Sequence, residues 1–152
     1  MSESMYFWTT NHMVGSPISI RLGLSNTKRY SAYNFPEDIR RQSVAEHVFG
    51  CLMLLDVVAL TLNLEMHVKR DISDTLLHHD NSEAMTGDIP RPIKAEMEGI
   101  DSLEERLQEE LTPESSKSQC DNKFIRKIVE FIDILECAVY TANLFSRGFG
   151  ME

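Results

Sequence analysis

Cysteine is scarce in this chain of 152 residues, and its use excludes a disulfide-stapled fold. The three cysteines are Cys51, Cys120 and Cys137. Cys51 and Cys137 lie in apolar helical patterns, where buried free thiols are common. An odd number of cysteines, and only three of them, indicates a protein of the reducing cytoplasm rather than a secreted protein with a disulfide framework. The first ten residues lack the basic start and apolar run of a signal peptide, so no targeting segment is predicted.

Positive charge is scarce as well. Lys and Arg number 15 against 24 Asp and Glu, for a formal net charge of -9. Contacts along a phosphate backbone need a basic surface, so we expect no nucleic acid polymer as a partner. A few local cations can nevertheless hold one small phosphorylated ligand within an acidic protein.

Uninterrupted apolar runs are also missing. The most apolar stretch, residues 48–64, contains Gly50, Asp56, Thr61 and Asn63. Such interruptions are typical of a core helix rather than a membrane span. We therefore expect no membrane partner. The length is sufficient to bury one core, which predicts a single domain over residues 1–152.

Strand signals and internal repeats are nearly absent, so the sequence predicts an all-α fold. One helix is expected over Ser43–Leu64, beginning at the capping box Ser43-Val44-Ala45-Glu46 and continuing with an apolar face. Further helices are predicted at Ile18–Leu24, from Asp71 or Ser73 to about Met85, at Ile93–Leu111 and at Lys123–Phe145. Loops are predicted at Ser31–Glu37 and Thr112–Asn122.

Three polar features lie where packing would favour apolar side chains. They are His47, the adjacent pair His79-Asp80, and Asp133 within a long apolar helix. Taken singly, His47 is more often a hydrogen-bonded core residue, and Asp133 is as readily a buried salt bridge as a metal ligand. Together, two imidazoles and two carboxylates on three helices suit a divalent cation such as Zn, Mn, Co or Fe(II). The combination favours a metal site, because an isolated buried carboxylate is costly.

An acid–base group and cations accompany this set. Glu83 follows Asp80 by three positions and His79 by four, so it shares their helix face. A carboxylate there can accept a proton from an activated water or protonate a leaving oxygen. The alternative is an exposed helix residue. Three nearby cations are candidate phosphate ligands, although each alone is typical of a solvated surface: Arg29, Arg91 and Lys94.

These residues resemble the HD-domain phosphohydrolases, and within them the 5′-deoxynucleotidase group. The resemblance rests on Ser43–His47, on the stretch His79–Lys94 and on Asp133, and it spans about residues 21–145. The middle stretch is the specific part. A bare His-Asp pair is common, whereas HD-x-x-E followed by T-G-D-x-P-x-P-x-K matches this group. Arg29-Tyr30 also resembles the family's Arg-Trp pair.

The resemblance implies a compact HD-domain bundle of about five to six helices that holds one divalent metal ion, Zn, Co, Mn or Mg. The implied metal ligands are His47, His79, Asp80 and Asp133. Glu83 would act on the attacking water or the leaving group.

The substrate contacts are also implied by the resemblance. Asp88 would lie near the 3′ side of the sugar. Arg29 and Lys94 would contact phosphate, with Arg91 as a further candidate. Tyr30 would lie against the sugar or base, where the family disfavours ribose. Because Tyr30 replaces the family's Trp, the base and sugar preference stays open.

The implied reaction is attack on the α-phosphorus of a 2′-deoxynucleotide, with release of the deoxynucleoside. The motif tail favours a dNMP substrate and thus a 5′-deoxynucleotidase. The short chain after the Asp133 helix instead resembles compact phage HD enzymes that remove the whole triphosphate from dATP. Two other classes stay open: a non-catalytic HD module that binds nucleotide or keeps a structural metal, and a plain helical interaction protein.

Self-association is a further expectation. Met5, Tyr6, Phe7 and Trp8 form an apolar group that a subunit interface would bury, so a homo-oligomer is predicted. The predicted location is the cytoplasm, or the host cytoplasm if the protein is phage-encoded.

Overall fold

The computed structural model describes residues 17–30, 40–114, 116 and 122–146. The predicted loop at Ser31–Glu37 lies outside these residues. So do Cys120 and the apolar group at residues 5–8, on which the expected self-association depends.

Seven helices occur in the described part of the chain. They are α1 (Pro17–Asn26), α2 (Val44–Thr61), α3 (Met66–His78), α4 (Glu83–Thr86), α5 (Arg91–Lys94), α6 (Ile100–Leu111) and α7 (Lys123–Ser146). These segments contain no strand, and their extended pairing is limited to one isolated bridge between Lys28 and Ser43. The predicted all-α fold is confirmed, since five helices have ten residues or more and two are single turns.

The chain divides into two compact units, which we describe separately. Unit 1 comprises residues 1–46 and 79–113, and unit 2 comprises residues 47–78 and 114–152. The first turn of α2 belongs to unit 1 and the rest of the helix to unit 2. The single domain expected from the length stays a prediction.

The hydrophobic core of unit 2 is built by α2, α3 and α7. Its buried members are Cys51, Leu55, Val58, Ala59, Ile72, Leu76, Ile125, Val129 and Ile132. Within each helix they recur at three- or four-residue spacing, which places them on one face. Each large side chain of this kind stabilises the fold by about 1.5–3 kcal/mol when fully buried.

By length and composition alone, α2 is the one helix among the described residues that could cross a membrane. A core helix meets the same criterion, and α2 supplies the buried side chains of Cys51 and Leu55 to the core of unit 2. The apolar character of α2 is therefore weak evidence for a membrane span.

The predicted capping box at the start of α2 is confirmed. The Ser43 backbone N–H donates to Glu46 Oε2 at 2.8 Å, and the Glu46 backbone N–H donates to Ser43 Oγ at 3.2 Å. This reciprocal pair satisfies amides that a helix start leaves without partners. The hydrogen bond from the Ser43 backbone also lowers the pKa of Glu46 below its usual value. The cap at Ser43, four residues before His47, thus determines where α2 begins.

In unit 1, α1 packs closely against α4. A Cβ atom on Gly23 would lie 2.8 Å from the Cβ of Ala84, so the contact requires glycine. Thr27 Oγ1 donates to the carbonyl of Glu83 at 3.3 Å. The chain after α1 is held by backbone pairing, in which the Arg29 N–H donates to the carbonyl of Gln42 at 2.9 Å. These contacts position Arg29 and Glu83 within one unit.

The helix predicted from residue 71 or 73 to about 85 was wrong in its bounds. α3 begins at Met66 and ends at His78, and the next four residues form turns before α4. Contacts with α6 replace the helical hydrogen bonds of this turn. Asn81 Nδ2 donates to the carbonyl of Leu111 at 3.2 Å, and the Ser82 N–H donates to Gln108 Oε1 at 3.1 Å. Tertiary hydrogen bonds therefore override the local helical pattern.

The helix predicted over Ile93–Leu111 is divided into α5 and α6. Gly99 has a φ of 81°, a left-handed conformation that interrupts a helix and that glycine adopts without strain. Glu114 and Ser116 have helical backbone, so the predicted loop at 112–122 was wrong there. The helices predicted near residues 18–24 and over residues 123–145 are confirmed as α1 and α7.

We predict that Ser43→Ala lowers the free energy of unfolding by about 1 kcal/mol, because it removes the hydroxyl that caps α2. Urea unfolding followed by circular dichroism measures this change. Ser102→Ala, at an exposed position of α6, serves as the control and should stay within about 0.5 kcal/mol of wild type. Equal effects of the two substitutions would contradict a stabilising cap.

Candidate functional site

In unit 2, one buried imidazole lies between two carboxylates. His47 on α2 has no exposed surface. Its Nε2 atom is 3.0 Å from Asp133 Oδ1, and its Nδ1 atom is 2.5 Å from Glu136 Oε2. Asp133 and Glu136 are three residues apart on α7, so they lie on one face of that helix. The structure therefore brings His47 and Asp133 together, as predicted, and adds Glu136.

This arrangement needs a cation. A neutral imidazole carries one N–H, so it can donate to only one of the two carboxylates. Its other ring nitrogen would present a lone pair to the second carboxylate, which is unfavourable in a buried environment. A second proton on the ring or a divalent metal ion removes this conflict. The donor set around His47 therefore fits a metal ion.

Two thiols lie beside the same imidazole. Cys51 Sγ is 3.5 Å from His47 Nε2, and Cys137 Sγ is 3.9 Å from Asp133 Oδ1. Burial raises the pKa of the Cys51 thiol, which keeps it protonated at neutral pH. Potential ligand atoms of His47, Asp133 and Cys137 lie within 4.8 Å of one another, so these three residues could hold a metal ion.

Unit 1 contains the predicted His-Asp pair. His79 and Asp80 occupy the turn between α3 and α4, and His79 Nε2 is 3.3 Å from Asp80 Oδ2. Both side chains are largely buried, with 12% and 18% of their surface exposed. The turn formed by Asn81 and Ser82 leads directly to Glu83, whose backbone N–H donates to the carbonyl of Asp80 at 3.0 Å.

Glu83 begins α4 in an environment that disfavours its charged form. Its Oε2 atom is buried, and within residues 17–30, 40–114, 116 and 122–146 it contacts no hydrogen-bond donor. Burial, followed by the charges of Asp80 and Asp88, raises the pKa of Glu83 to about 8. Arg29 and Lys94 oppose this shift only in part. At neutral pH the Glu83 carboxyl is thus largely protonated.

Tyr30 is held in a strained backbone conformation next to this cluster. Its φ is 60°, which an aromatic residue rarely adopts. The Tyr30 N–H donates to Asp88 Oδ2 at 2.7 Å, and the Arg29 guanidinium lies 5.6 Å from the centre of the Tyr30 ring. Such strain persists only where surrounding contacts maintain it. Asp88 therefore holds the backbone at Tyr30 in this conformation.

The three predicted phosphate ligands differ in their surroundings. Arg29 and Lys94 both act on the charge of Glu83. Lys94 Nζ also donates to Glu104 Oε2 at 2.7 Å, and both side chains are largely buried. Arg91, at the start of α5, is exposed. The structure thus groups Arg29, Tyr30 and Lys94 with the acidic residues of unit 1, whereas Arg91 has no described contact with them.

Two acidic residues of the site escaped the sequence analysis. Glu136 could have been recognised, because it is a charged residue in an apolar helix and lies one turn after Asp133. Glu104 had no comparable signal, since it lies ten positions after Lys94 in the chain. Only the tertiary fold brings Glu104 and Lys94 together.

Comparison with known proteins points to one family. Residues 23–135 match the family model described as HD domain, which is well over half of the chain. This region contains His47, His79, Asp80 and Asp133. No curated protein matches the chain.

A solved structure has a similar fold. It is the HD phosphohydrolase DatZ of cyanophage S-2L, bound to dA and one catalytic Zn²⁺ ion. The TM-score is 0.65 at 23% sequence identity, and the match covers 80% of this chain and 68% of that one. At this identity the similarity concerns the fold.

We predict that Glu83→Gln makes the stability of the metal-free protein less dependent on pH. The Glu83 pKa of about 8 exceeds the ordinary value of 4.5. The proton is therefore held more tightly in the folded chain, and its stabilising contribution is present below about pH 4.5 and lost as the pH rises through 8. The glutamine side chain does not titrate, so the variant lacks this dependence on pH. The stability difference should grow with pH by up to about 1.4 kcal/mol per unit.

Thermal unfolding in chelator between pH 5 and 8.5 measures this difference. Glu105→Gln, at an exposed position of α6, is the matched control. If Glu83→Gln and the control follow wild type with the same slope, the Glu83 proton is not held as described.

Proposed function

Because the chain belongs to the HD-domain family, we propose that it is a divalent-metal-dependent phosphohydrolase. Its substrate is a 2′-deoxynucleotide, and its reaction breaks the bond between the 5′ oxygen and the α-phosphorus. The products are the deoxynucleoside and the released phosphate group.

The observation that carries this proposal is the environment of His47. A fully buried imidazole with carboxylates at both ring nitrogens is a poor structural element unless a cation accompanies it. Imidazole nitrogen and carboxylate oxygen are also the ligand atoms of catalytic zinc and similar metals. The site is therefore better suited to hold a metal ion than to stabilise a core.

The proposed ligands of that ion are His47, His79, Asp80 and Asp133. The contact between His47 and Asp133 supports the first pair. The inclusion of His79 and Asp80 rests on the sequence motif. When bound, a divalent cation supplies a Lewis acid that activates water and stabilises the charge developing on a phosphate.

Glu83 is the proposed proton carrier. With a pKa of about 8, its carboxyl holds a proton at neutral pH and can donate it to the 5′ oxygen as that oxygen leaves. In its ionised form the same group accepts a proton from water. Because an ideal acid–base group titrates near the working pH, the raised pKa supports this role.

Four other residues of unit 1 are proposed to bind the substrate. Arg29 and Lys94 contact phosphate, and the ion pair of Lys94 with Glu104 holds the ammonium group in place. Tyr30 lies against the sugar or base. Asp88 fixes the Tyr30 backbone through one carboxylate oxygen and faces the 3′ side of the sugar with the other. The exposure of Arg91 gives it a peripheral role.

The substrate class is part of the proposal. The dA bound to DatZ supports a deoxynucleoside moiety as the part that the site recognises. We favour a dNMP, because the stretch from His79 to Lys94 matches the 5′-deoxynucleotidase motif. The alternative is a dNTP that loses its whole triphosphate, as the resemblance of this short chain to compact phage HD enzymes implies. Both reactions break the same bond.

Self-association and a cytoplasmic location complete the proposal. Phe49, Met53 and Leu60 on α2 are exposed apolar residues, and a large exposed apolar surface is typical of an interaction site. A second copy of this chain is the proposed partner.

We predict that the protein releases deoxyadenosine from dAMP or dATP only when Zn²⁺, Co²⁺, Mn²⁺ or Mg²⁺ is supplied. Asp133→Asn should lower this activity by more than about 100-fold, because it weakens the metal site and with it the stabilisation of the transition state. Chromatography of the nucleoside product measures both effects.

Asp101→Asn, an exposed position in the first turn of α6, is the control and should retain wild-type activity. No turnover with any of the four metals would overturn the enzyme proposal for these substrates. Bound metal without turnover would then favour a nucleotide-binding or structural HD module. Absence of bound metal would favour a plain helical interaction protein.

We predict orthophosphate as the inorganic product, formed from dAMP in equal amount to deoxyadenosine. Ion chromatography distinguishes it from intact triphosphate. Triphosphate formed from dATP, with no turnover of dAMP, would favour the alternative substrate. A matched reaction with AMP tests whether the site requires the 2′-deoxy sugar.

A further inference from the structure

We propose that Glu136 is a positioning residue, which accepts the Nδ1 proton of His47 and thereby directs the Nε2 lone pair at the metal ion. This inference rests on the proposed function, because it assigns the residue that prepares one of the metal ligands. Glu136 lies outside the sequence motif that the chain shares with its family group.

The geometry gives the two ring nitrogens of His47 different partners. Nδ1 is 2.5 Å from Glu136 Oε2, and Nε2 is 3.0 Å from Asp133 Oδ1. Of these two contacts, the one at Nδ1 is the closer and its carboxylate is the more buried. A ligating histidine ordinarily donates its second ring N–H to such a carboxylate. The contact between Nδ1 and Glu136 therefore corresponds to the hydrogen bond that supports a ligating histidine.

Exposure separates the roles of the two carboxylates. The Asp133 side chain is 24% exposed, whereas the Glu136 side chain is 8% exposed. A catalytic metal keeps one coordination position open to water and substrate. Asp133 lies on the more exposed side of the imidazole, which is where such an ion can be reached. Glu136 is enclosed, which suits a group that orients a ligand without itself meeting the substrate.

Gly50 supplies the space that Glu136 occupies. Gly50 lies one turn after His47 on α2. A Cβ atom there would be 2.7 Å from Glu136 Oε1 and 2.9 Å from its Cγ. The carboxylate of α7 therefore lies directly against the backbone of α2. Glycine inside a helix is less stable than alanine. The glycine at position 50 therefore costs helix stability but leaves room for the Glu136 side chain.

The hydrogen bond matters because neutral imidazole has two tautomers. Without an acceptor at Nδ1, the ring proton would favour Nε2, where Asp133 can accept it. That tautomer has no lone pair at Nε2 with which to bind a metal. By accepting the proton at Nδ1, Glu136 selects the competent tautomer and fixes the ring plane. It also makes the other nitrogen more basic.

The main test compares Glu136→Leu with Glu130→Leu, which alters an exposed residue of the same helix α7. Competition with a chromophoric chelator measures Zn²⁺ affinity. We expect Glu136→Leu to weaken Zn²⁺ binding about 10–100-fold. Glu130→Leu should bind like wild type. Glu136→Gln keeps an acceptor oxygen, and its affinity should lie between those of wild type and Glu136→Leu.

A spectroscopic signature separates positioning from a merely structural role. Long-range ¹H–¹⁵N spectra of His47 report which ring nitrogen carries a proton. In wild type, Nδ1 should be protonated with and without Zn²⁺, and Zn²⁺ should shift Nε2. In Glu136→Leu the ring proton should move to Nε2, and Glu136→Gln should restore it to Nδ1.

Gly50→Ala provides a second route that leaves the carboxylate chemically intact. The new methyl group would occupy the space of Glu136 and displace it from His47. We expect weaker Zn²⁺ binding in the same direction as Glu136→Leu. If Glu136→Leu does not fold, Zn²⁺ affinity is compared between wild type, Gly50→Ala and Glu136→Gln instead.

The outcomes distinguish this inference from the proposed function. Zn²⁺ binding and hydrolysis in wild type, with unchanged Zn²⁺ affinity and His47 spectra in Glu136→Leu, would overturn the inference and leave the function standing. Zn²⁺ bound at Nδ1 would also overturn it. A wild-type chain that takes up no Zn²⁺ overturns the function. In that case an Nδ1 proton that persists in Glu136→Leu overturns the inference as well.

Discussion

Burial of the His47 imidazole between the carboxylates of Asp133 and Glu136 is the interaction on which the site depends. Two negative groups at one buried ring are unfavourable without a compensating cation, and removal of a single partner from such a set ordinarily costs about 3–5 kcal/mol. The apolar packing of α2 against α7 brings the three side chains together regardless of this cost. The cap at Ser43 then determines where on α2 the ring lies. The apolar core thus fixes the positions of the three side chains, and the two carboxylates attract a cation.

Unit 1 also contains a group of partly buried acidic side chains, but there a proton compensates part of their charge. Burial, together with the negative charges of Asp80 and Asp88, raises the pKa of Glu83, so its carboxyl holds that proton. Asp88 also maintains the strained backbone of Tyr30. One carboxylate therefore acts both on the charge of Glu83 and on the backbone of Tyr30. A substitution at Asp88 would change both properties together.

The sequence predicted those parts of the structure that depend on local pattern. The all-α class, the capping box and the extent of α7 follow from periodicity and capping, and the family resemblance is confirmed by the HD-domain match. The turn at Asn81 and Ser82 could not be predicted, because hydrogen bonds from distant α6 replace its helical ones. Glu136 differs, because its signal was present: it is a charged residue in an apolar helix, one turn after Asp133. What the local pattern does not show is its partner, since His47 lies 89 positions away in the chain.

The two thiols beside His47 affect which metals the site can discriminate. Sulfur is a soft, polarizable donor that favours Zn²⁺ and other thiophilic ions over Mg²⁺, which binds hard oxygen ligands. Cys51 lies 3.5 Å from the imidazole nitrogen that faces Asp133. Because burial keeps the Cys51 thiol protonated, this sulfur can act as a donor only if a bound ion displaces its proton. Binding of a thiophilic ion through Cys51 would therefore release a proton, which binding through the carboxylates alone would not.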